Sequence, residues 1–303
     1  MTDSGSAGAR ASKNARRVEA REKARKLREE HRKKESRKRY LLQGGIALAA
    51  LAIVAIVALV IVNSIRPEST GPRNMASDGI KIAAGLEAVP TPGLAPDADP
   101  VPSAANAPGV VDIQIWADYL CPICGDFEKE NGALIRRLVE SGAATVEYHP
   151  IAILTSLSAG TQYSLRAANA AACVANSAPD SFFDFNEEMF ARQPEEGSEG
   201  LTNDEILAIA RGAGATASSI ERCVNDKRFT GWVQAATTRA GNGPLPIIGT
   251  EVARIAGTPT IIVDGRLYSY SYPFDSTEFS QFVLQAASDQ FAKSSSPTPS
   301  PSP

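Results

Sequence analysis

The chain has 303 residues, of which 43% are hydrophobic and 21% are charged, and its formal net charge is −3. This length suits one or two domains, and the composition excludes a wholly disordered or collagen-like protein. Four cysteines and two histidines are too few for a multi-zinc module or a protein with two iron–sulfur clusters. Because His31 lies in a basic N-terminal arm, only His149 could serve a His-dependent hydrolase, and that class is nearly excluded.

The charge is distributed unevenly along the chain. Residues 1–39 contain 15 Lys and Arg against 6 Asp and Glu, whereas the remainder contains 16 basic and 28 acidic residues. Such an arm could bind nucleic acid, but no aromatic residue interrupts it before Tyr40. Beside an apolar span, the same charges orient the chain in a membrane and place the arm in the cytoplasm. We therefore expect no nucleic-acid partner.

A long apolar run follows the basic arm. The 25 residues 41–65 carry no charge, and residues 44–62 are all Gly, Ala, Leu, Ile or Val. As a helix, this run spans a hydrocarbon core of roughly 30 Å. A cleaved signal peptide is the main alternative, but its apolar region is usually about 7 to 15 residues long. We expect residues 40–65 to form a single uncleaved transmembrane helix in a single-pass protein of the cell membrane, with everything after Ile65 outside the cytoplasm.

Prolines mark the segments on either side of the next domain. Eight of the 20 prolines lie in residues 66–108, and four lie in the tail, residues 294–303. Both segments are expected to be extended and solvated. Within the first segment, residues 79–86 alternate weakly between apolar and polar and form a candidate edge strand. Residues 109–293 have about the length of one domain.

This domain opens with a pattern typical of a parallel βαβ unit. Residues 110–116 are an apolar, β-rich run that predicts a strand. Apolar residues then recur at helical spacing from 127 to 139, and a second strand is predicted at 144–148.

The second half of the domain begins with helices. Residues 156–240 are rich in alanine and are predicted to be helical, with a capping box at Thr202-Asn-Asp-Glu205. Residues 260–270 predict a β-hairpin around the turn Asp264-Gly265, and a C-terminal helix follows. The predicted order is β-α-β, a helical insert, then β-β-α.

Two cysteines lie where the first strand gives way to the first helix, in the sequence Cys121-Pro122-Ile123-Cys124. A thiol at a helix N-terminus has a pKa lowered from about 8.5 to roughly 3.5 to 7.5, because unpaired amide groups favour its thiolate. The second thiol can reach the first, and so short a ring stabilises a disulfide little through chain entropy. The pattern therefore indicates a redox-active disulfide.

An inert clip and half of a zinc site are the alternatives for this pair. Zinc would need two further ligands from Cys173, Cys223 and His149, and the sequence has no second cysteine pair of the same spacing. We expect no metal and no cofactor. His149, just before a proline at a strand end, is expected at the surface.

Two segments carry a resemblance to a known family. Trp116-Ala-Asp-Tyr-Leu-Cys-Pro-Ile-Cys124 resembles the F-x-D-Y-x-C-P-x-C segment of DsbA-like thiol–disulfide oxidoreductases, which belong to the thioredoxin superfamily. Gly257-Thr-Pro-Thr-Ile-Ile-Val-Asp-Gly265 resembles their G-T-P-T strand and turn. The resemblance covers approximately residues 75–292 and implies an α/β, thioredoxin-like fold with a helical insertion. The anchored form with proline-rich flanks is similar to membrane-tethered actinobacterial members.

The resemblance also implies roles for individual residues. It makes Cys121 the nucleophile and Cys124 the thiol that resolves the mixed disulfide. Pro259 corresponds to the cis-proline that faces the sulfurs in this family. Thr258 would lend its backbone to an extended substrate.

The chain departs from the family pattern at two positions. Pro122 and Ile123, between the cysteines, are expected to contact substrate, but Ile123 replaces a histidine of the founding enzyme that hydrogen-bonds the thiolate. Ile115 stands where many relatives carry a buried acid. Proton transfer would then use water, Asp118 or Glu128, and both of these carboxyl groups are expected at the surface.

The other two cysteines, Cys173 and Cys223, lie on the apolar sides of two different predicted helices. Buried free thiols are one interpretation, but in an oxidising compartment a structural disulfide is favoured. It would close a loop of 50 residues. In the chain-entropy model such a loop contributes on the order of 4 kcal/mol.

The leading hypothesis is a membrane-anchored, extracytoplasmic enzyme that transfers the Cys121–Cys124 disulfide to exported proteins with free thiols. A membrane oxidase of the vitamin K epoxide reductase or DsbB type would reoxidise it. A reductase or isomerase, and a non-catalytic binding module on a thioredoxin-like scaffold, are the alternatives. A reduction potential of about −120 mV is typical of the oxidants and about −270 mV of thioredoxin-like reductants.

Overall fold

The computed structural model describes residues 70–295. The predicted arm 1–39, the predicted transmembrane helix 40–65 and nearly all of the tail 294–303 lie outside these residues. Within the described part, no helix combines the length and the apolar character that crossing a membrane requires.

Six strands in the described part of the chain form one mixed sheet. They are β1 (Ile80–Ala83), β2 (Glu87–Ala88), β3 (Val111–Ala117), β4 (Ala144–Pro150), β5 (Thr260–Val263) and β6 (Arg266–Leu267). Their order across the sheet is β2-β1-β4-β3-β5-β6. Strands β3 and β4 are parallel, as the βαβ pattern predicts, and the other neighbouring pairs are antiparallel.

Seven α-helices accompany the sheet in residues 70–295. They are α1 (Pro122–Glu140), α2 (Tyr163–Ser177), α3 (Phe182–Ala191), α4 (Asn203–Gly212), α5 (Ser218–Asn225), α6 (Thr230–Asn242) and α7 (Ser276–Ser295). Helices α2 to α6 form the insert between β4 and β5. The α/β, thioredoxin-like fold with a helical insertion is thus present.

Strand β3 is the central strand, and it positions the cysteine pair. It is buried along most of its length, with Ile113 opposite Val146 of β4 on one side and Val263 of β5 on the other. Its sequence alternates at first, with Asp112 and Gln114 between apolar residues, and Gln114 is buried together with them. Its last residue, Ala117, lies four residues before Cys121.

Helix α1 buries one face against the sheet. It begins at Pro122, where the missing amide of proline costs no hydrogen bond. Its buried side includes Cys124, Phe127, Ile135 and Val139, which recur at helical spacing.

The helical insert has its own covalent and apolar links. Cys173 of α2 and Cys223 of α5 form a disulfide with an S–S distance of 2.03 Å. The capping box of Thr202 and Glu205 at the start of α4 is formed in both directions. Aromatic side chains of α3 complete the insert core and are nearly fully buried, namely Phe182, Phe183, Phe185 and Phe190.

Part of the proline-rich segment belongs to this domain. Strand β1 lies between β2 and β4, so the edge of the sheet is the two-residue β2. Met75 and Ile80 are buried, and Asp78 accepts two hydrogen bonds of 2.7 Å from Arg239 of α6. The candidate edge strand at 79–86 therefore corresponds to β1, which is shorter and lies inside the sheet, and residues 75–83 belong to the domain instead of to a solvated linker. Proline content did not reveal this, because pairing with β4 is a tertiary contact.

Candidate active site

The connection from β3 to α1 presents the cysteine pair. Cys121 is the residue that precedes the helix, and its carbonyl oxygen accepts hydrogen bonds from the amides of Cys124 and Gly125. Its own amide donates to the Asp118 carbonyl oxygen at 3.0 Å. Both thiols are free, and Cys121 is 6% exposed whereas Cys124 is 1% exposed.

The two thiols have opposite acid–base character. The pKa of Cys121 is lowered from 9.0 to about 6, chiefly by a hydrogen bond with the Cys124 side chain, with a smaller contribution from Thr258. Burial and the charge of Asp118 oppose this shift. The pKa of Cys124 is raised well above its usual range by burial and by the neighbouring Cys121. At neutral pH, Cys121 is therefore a thiolate and Cys124 a thiol.

The loop before β5 forms a second wall of the site. Trp116 of β3 pairs with Thr260 of β5, which brings residues 257–259 next to the cysteines. The Thr258–Pro259 peptide bond is cis, and the Cys121 sulfur lies 3.4 Å from the Thr258 carbonyl oxygen. The structure thus brings together Cys121, Cys124, Thr258 and Pro259, which lie far apart in the sequence.

Pro122 and Ile123 lie at the exposed rim of the pair. Ile123 is 37% exposed.

Asp118 is buried, so its expected surface position is wrong. Its carboxylate accepts hydrogen bonds from the amides of Leu120 and Leu154 and from the Ser164 hydroxyl. Burial still raises its pKa above the ordinary value. The donors Leu154 and Ser164 lie 36 and 46 residues after Asp118 in the sequence, so no local pattern could show these hydrogen bonds.

Glu128 is also buried, with 7% of its surface exposed, although a surface position was expected. Burial, together with the charge of Glu187 on α3, raises its pKa to about 8. Helical spacing offered a signal, since Glu128 lies one turn after Cys124 on the buried side of α1. The covering helix α3 could not be identified from that spacing.

His149 is a third residue whose expected exposure is wrong. It is 1% exposed and stacks on Trp116, with ring centroids 3.9 Å apart. Burial lowers its pKa to about 3, so the ring is neutral. It packs within the sheet region and is no part of the group formed by the cysteines and the Thr258–Pro259 loop.

Comparisons with known proteins agree with this arrangement. The family model Thioredoxin_4, described as thioredoxin, matches residues 103–283. A reduced DsbA from Mycobacterium tuberculosis is 25% identical, with a TM-score of 0.51 over 72% of this chain and 100% of that chain. A reduced DsbG from the same organism is 24% identical, with a TM-score of 0.52 over 75% of this chain and 97% of that chain.

A curated relative shares only part of its length with this chain. The serine/threonine-protein kinase PknE of Mycobacterium tuberculosis is 28% identical over 171 residues, which are 55% of this chain and 29% of the kinase. The chain thus spans under a third of that relative, and kinase activity does not follow from the match. The family match covers more than half of the chain and agrees with the geometry of the cysteine pair. The chain therefore belongs to the thioredoxin family.

Proposed function

We propose that the chain oxidises exported proteins, with the disulfide between Cys121 and Cys124 as the oxidant. The observation that carries this proposal is the lowered pKa of Cys121 beside the buried Cys124. Ionisation of Cys121 stabilises the reduced pair, and a stabilised reduced form makes the corresponding disulfide more oxidising.

The exchange proceeds in two displacement steps. A substrate thiolate attacks the sulfur of Cys121, forms a mixed disulfide and expels Cys124, which takes up a proton because its pKa is high. A second substrate thiolate then attacks the substrate sulfur of the mixed disulfide and expels Cys121. Cys121 leaves readily, since a low-pKa thiol is the better leaving group. The substrate loses two electrons and the cysteine pair gains them.

The loop of Thr258 and Pro259 is proposed to hold the substrate. Its backbone lies beside the Cys121 sulfur, so an extended peptide could pair with Thr258 while its cysteine reacts. Pro122 and Ile123 would contact the same peptide from the other side. Pro259 carries no amide hydrogen that could compete for the thiolate.

Trapping of mixed disulfides tests the roles of the two cysteines. Cys124→Ala should accumulate covalent complexes with exported proteins, because its Cys121 thiolate attacks a disulfide of such a protein, expels one of that protein's thiolates, and meets no Cys124 thiol that could resolve the mixed disulfide. Cys121→Ala should form almost none. Equal trapping by both variants, or by neither, would contradict the assignment.

The reduction potential tests the direction of transfer. For an oxidant it should lie nearer to about −120 mV than to about −270 mV. Ile123, in place of a hydrogen-bonding histidine, favours the second candidate, a reductase or isomerase. A potential of about −270 mV would select that candidate.

We further propose that residues 40–65 anchor the protein in the cell membrane, with the basic arm in the cytoplasm. The uncharged run and the 15 basic residues before it support this orientation. Reoxidation between turnovers requires an electron acceptor, and a membrane oxidase of the vitamin K epoxide reductase or DsbB type suits a tethered enzyme. Reporter fusions at residue 39 and after residue 295 should give cytoplasmic and exterior signals, respectively. The opposite pattern, or release of a shortened soluble form, would contradict the anchor.

A further inference from the structure

A cavity of about 530 Å³ runs along the groove between α1 and α3, beside the cysteine pair. Its volume falls within the range of small-ligand pockets, roughly 300 to 1,000 Å³. Gln193 lies at one end and donates to the carbonyl oxygens of Tyr119 at 3.1 Å and of Cys121 at 2.9 Å. One residue of the cavity lining therefore contacts the backbone of the residue that reacts.

The most unusual residue in this cavity is Glu128. It is buried, lines the cavity, and neither of its carboxyl oxygens has a hydrogen-bond partner among the described residues. The side-chain amide of Asn186 lies near enough to lower the pKa of Glu128, but its nitrogen makes no hydrogen bond of good geometry with any described residue. A buried carboxyl group normally has partners, because an unpaired one costs the full desolvation penalty.

Glu187 faces the same space from α3. Its carboxylate pairs with Arg136, so this internal cation serves Glu187 and leaves Glu128 without one. Asp126 and Lys129 also line the cavity, which gives three carboxyl groups against one ammonium. Both carboxyl oxygens of Glu128 are closed to solvent in this structure. A cation that enters, with the Glu128 side chain turned toward it, would offset both the burial of Glu128 and the repulsion from Glu187.

Two glycines line the cavity, and the Gln193 side chain fills the space beside Gly125, whereas the space beside Gly132 is open. Gly125 and Gly132 lie two turns apart inside α1, where glycine is the least favourable residue except proline. Neither has a positive φ, so backbone conformation does not require glycine there. A methyl group at Gly132 would lie 3.6 Å from Oε2 of Glu128 and 3.9 Å from Oε1 of Glu187. Both carboxyl groups therefore converge above Gly132.

A guanidinium group fits these surroundings better than a metal ion. Within residues 70–295, no group of three His, Cys, Asp or Glu residues is arranged to hold a metal. Ala133, Phe190 and Ala191 also line the cavity and suit an aliphatic stem. The planar fork of arginine can reach two carboxylates at once and can stack on an aromatic ring.

We propose that this cavity is a specificity pocket for an arginine side chain of the protein substrate, with Glu128 as its principal partner. The inference rests on the proposed function, because the substrate cysteine must be at Cys121 while the arginine occupies the cavity. From Gly125 to Gly132 the helix rises by about 11 Å. In an extended peptide this distance corresponds to roughly three or four residues. The preferred arginine therefore lies a few residues from the reacting cysteine.

Synthetic peptides test this proposal with the oxidised full chain. Each nine-residue peptide carries a central cysteine and an arginine two, three or four residues away on one side. The matched peptide carries citrulline, which has the same shape without the charge. Two peptide thiols lose two electrons and two protons to form one disulfide, and the Cys121–Cys124 disulfide gains them. At the best spacing, the arginine peptide should react about tenfold faster than the citrulline peptide.

Three variants locate the effect. Glu128→Gln keeps the shape of the side chain and should reduce the ratio of the two rates to about one. Gly132→Ala keeps Glu128, improves helix propensity and should reduce the ratio by filling the space between the carboxyl groups. Glu130→Gln, an exposed residue of the same helix outside the cavity lining, should leave the ratio unchanged.

Two further measurements separate the cavity from the redox chemistry. Reduction of the same proteins by dithiothreitol, which does not use the cavity, measures any change in the reactivity of the cysteine pair itself, and the ratio of the two peptide rates is independent of such a change. Peptides with serine in place of cysteine should show the same arginine preference in equilibrium binding, measured by fluorescence anisotropy. The proposal is wrong if the arginine and citrulline peptides react at equal rates with the unaltered protein. It is also wrong if Glu128→Gln has the same ratio of these two rates as the unaltered protein. If no thiol reduces the pair, the proposed function fails, and the serine peptides still decide the pocket by binding.

Discussion

At the scale of single residues, Cys121 and Cys124 lie one helical turn apart and have different chemical roles. Cys121 stands before the first turn, where amide groups and the Cys124 thiol stabilise its negative charge. Cys124 stands inside the helix, where burial opposes a charge. The asymmetry therefore follows from position in the helix and needs no charged neighbour.

Alkylation at varied pH should reveal this asymmetry in the reduced protein. The rate of iodoacetamide labelling at Cys121 should rise through a midpoint of about 6, because its pKa is lowered and the thiolate exists above that pH. Cys124 should remain almost unlabelled across the same range, because its pKa is raised. Peptide mapping by mass spectrometry measures both rates.

A Cys124→Ala variant is the control for this titration. Loss of the thiol hydrogen bond should move the Cys121 midpoint upward. Faster labelling of Cys124 than of Cys121 in the unaltered protein would reverse the assigned roles.

The buried ring of His149 packs directly against Gly79 and leaves no room for a larger residue there. A methyl group at Gly79 would lie 2.5 Å from two atoms of the imidazole ring, which is itself stacked on Trp116. Gly79→Ala should therefore lower the free energy of unfolding by about 2 kcal/mol through overpacking. Urea denaturation measures the change.

Gly231→Ala provides the matched comparison, since nothing lies within 4 Å of the added methyl group and the residue is in α6. It should leave stability unchanged or raise it by up to about 1 kcal/mol. Equal stability of the Gly79→Ala protein and the unaltered protein would show that the sheet region can relax around His149.

At the scale of elements, the disulfide between α2 and α5 closes a loop of 50 residues in the insert. Its removal by Cys173→Ala together with Cys223→Ala should lower the free energy of unfolding by about 4 kcal/mol, as the chain-entropy model predicts. The rate of reduction of Cys121–Cys124 by dithiothreitol should not change, because the active pair lies on α1. A slower rate in this variant would mean that the insert disulfide also positions the reactive pair.

The two disulfides should differ in their resistance to reduction. Burial does not distinguish them, since Cys223 is 4% exposed and Cys121 is 6% exposed. Reduction of the Cys121–Cys124 pair yields a stabilised thiolate, whereas the insert disulfide yields two buried thiols. Graded dithiothreitol with mass spectrometry should open Cys121–Cys124 first, and the reverse order would contradict the structural role.

At the scale of the whole domain, the segment before β2 joins the sheet to the helical insert. Asp78 is buried and pairs with Arg239 through both carboxylate oxygens at 2.7 Å. Asp78→Asn keeps the side-chain shape and the tolerance for the φ of 62°, but it removes the charge. It should lower the free energy of unfolding by about 2 kcal/mol, because a hydrogen-bonded charge pair is lost.

The exposed pair of Arg266 and Asp289 serves as the comparison for this experiment. Asp289→Asn should change stability by less than about 1 kcal/mol, since solvent screens the pair. If Asp78→Asn costs no more than Asp289→Asn in urea denaturation, residues 75–83 contribute to the domain through apolar contacts alone.

The sequence by itself determined the elements whose causes are local. The cysteine spacing at a strand–helix junction predicted the reactive pair, the period of apolar residues predicted α1, and the turn Asp264-Gly265 has the positive φ values that a hairpin turn requires. The sequence favoured a disulfide of the insert over two free thiols only for an oxidising compartment, and the structure contains this disulfide. The transmembrane helix at 40–65 stays a prediction.

Only the tertiary structure decided which polar side chains are buried. The period of a helix or strand shows that Glu128 and His149 share a face with apolar residues, but not which distant segment covers that face. Asp118 lies in the connection after β3, where no such period applies. The covering segments are α3 for Glu128, the start of α2 for Asp118 and the turn at Gly79 for His149. Burial changes the pKa of each group through loss of water, and water is excluded by residues that lie far away in the sequence. The cavity with its unpaired carboxyl group therefore appeared only once α1 and α3 were packed together.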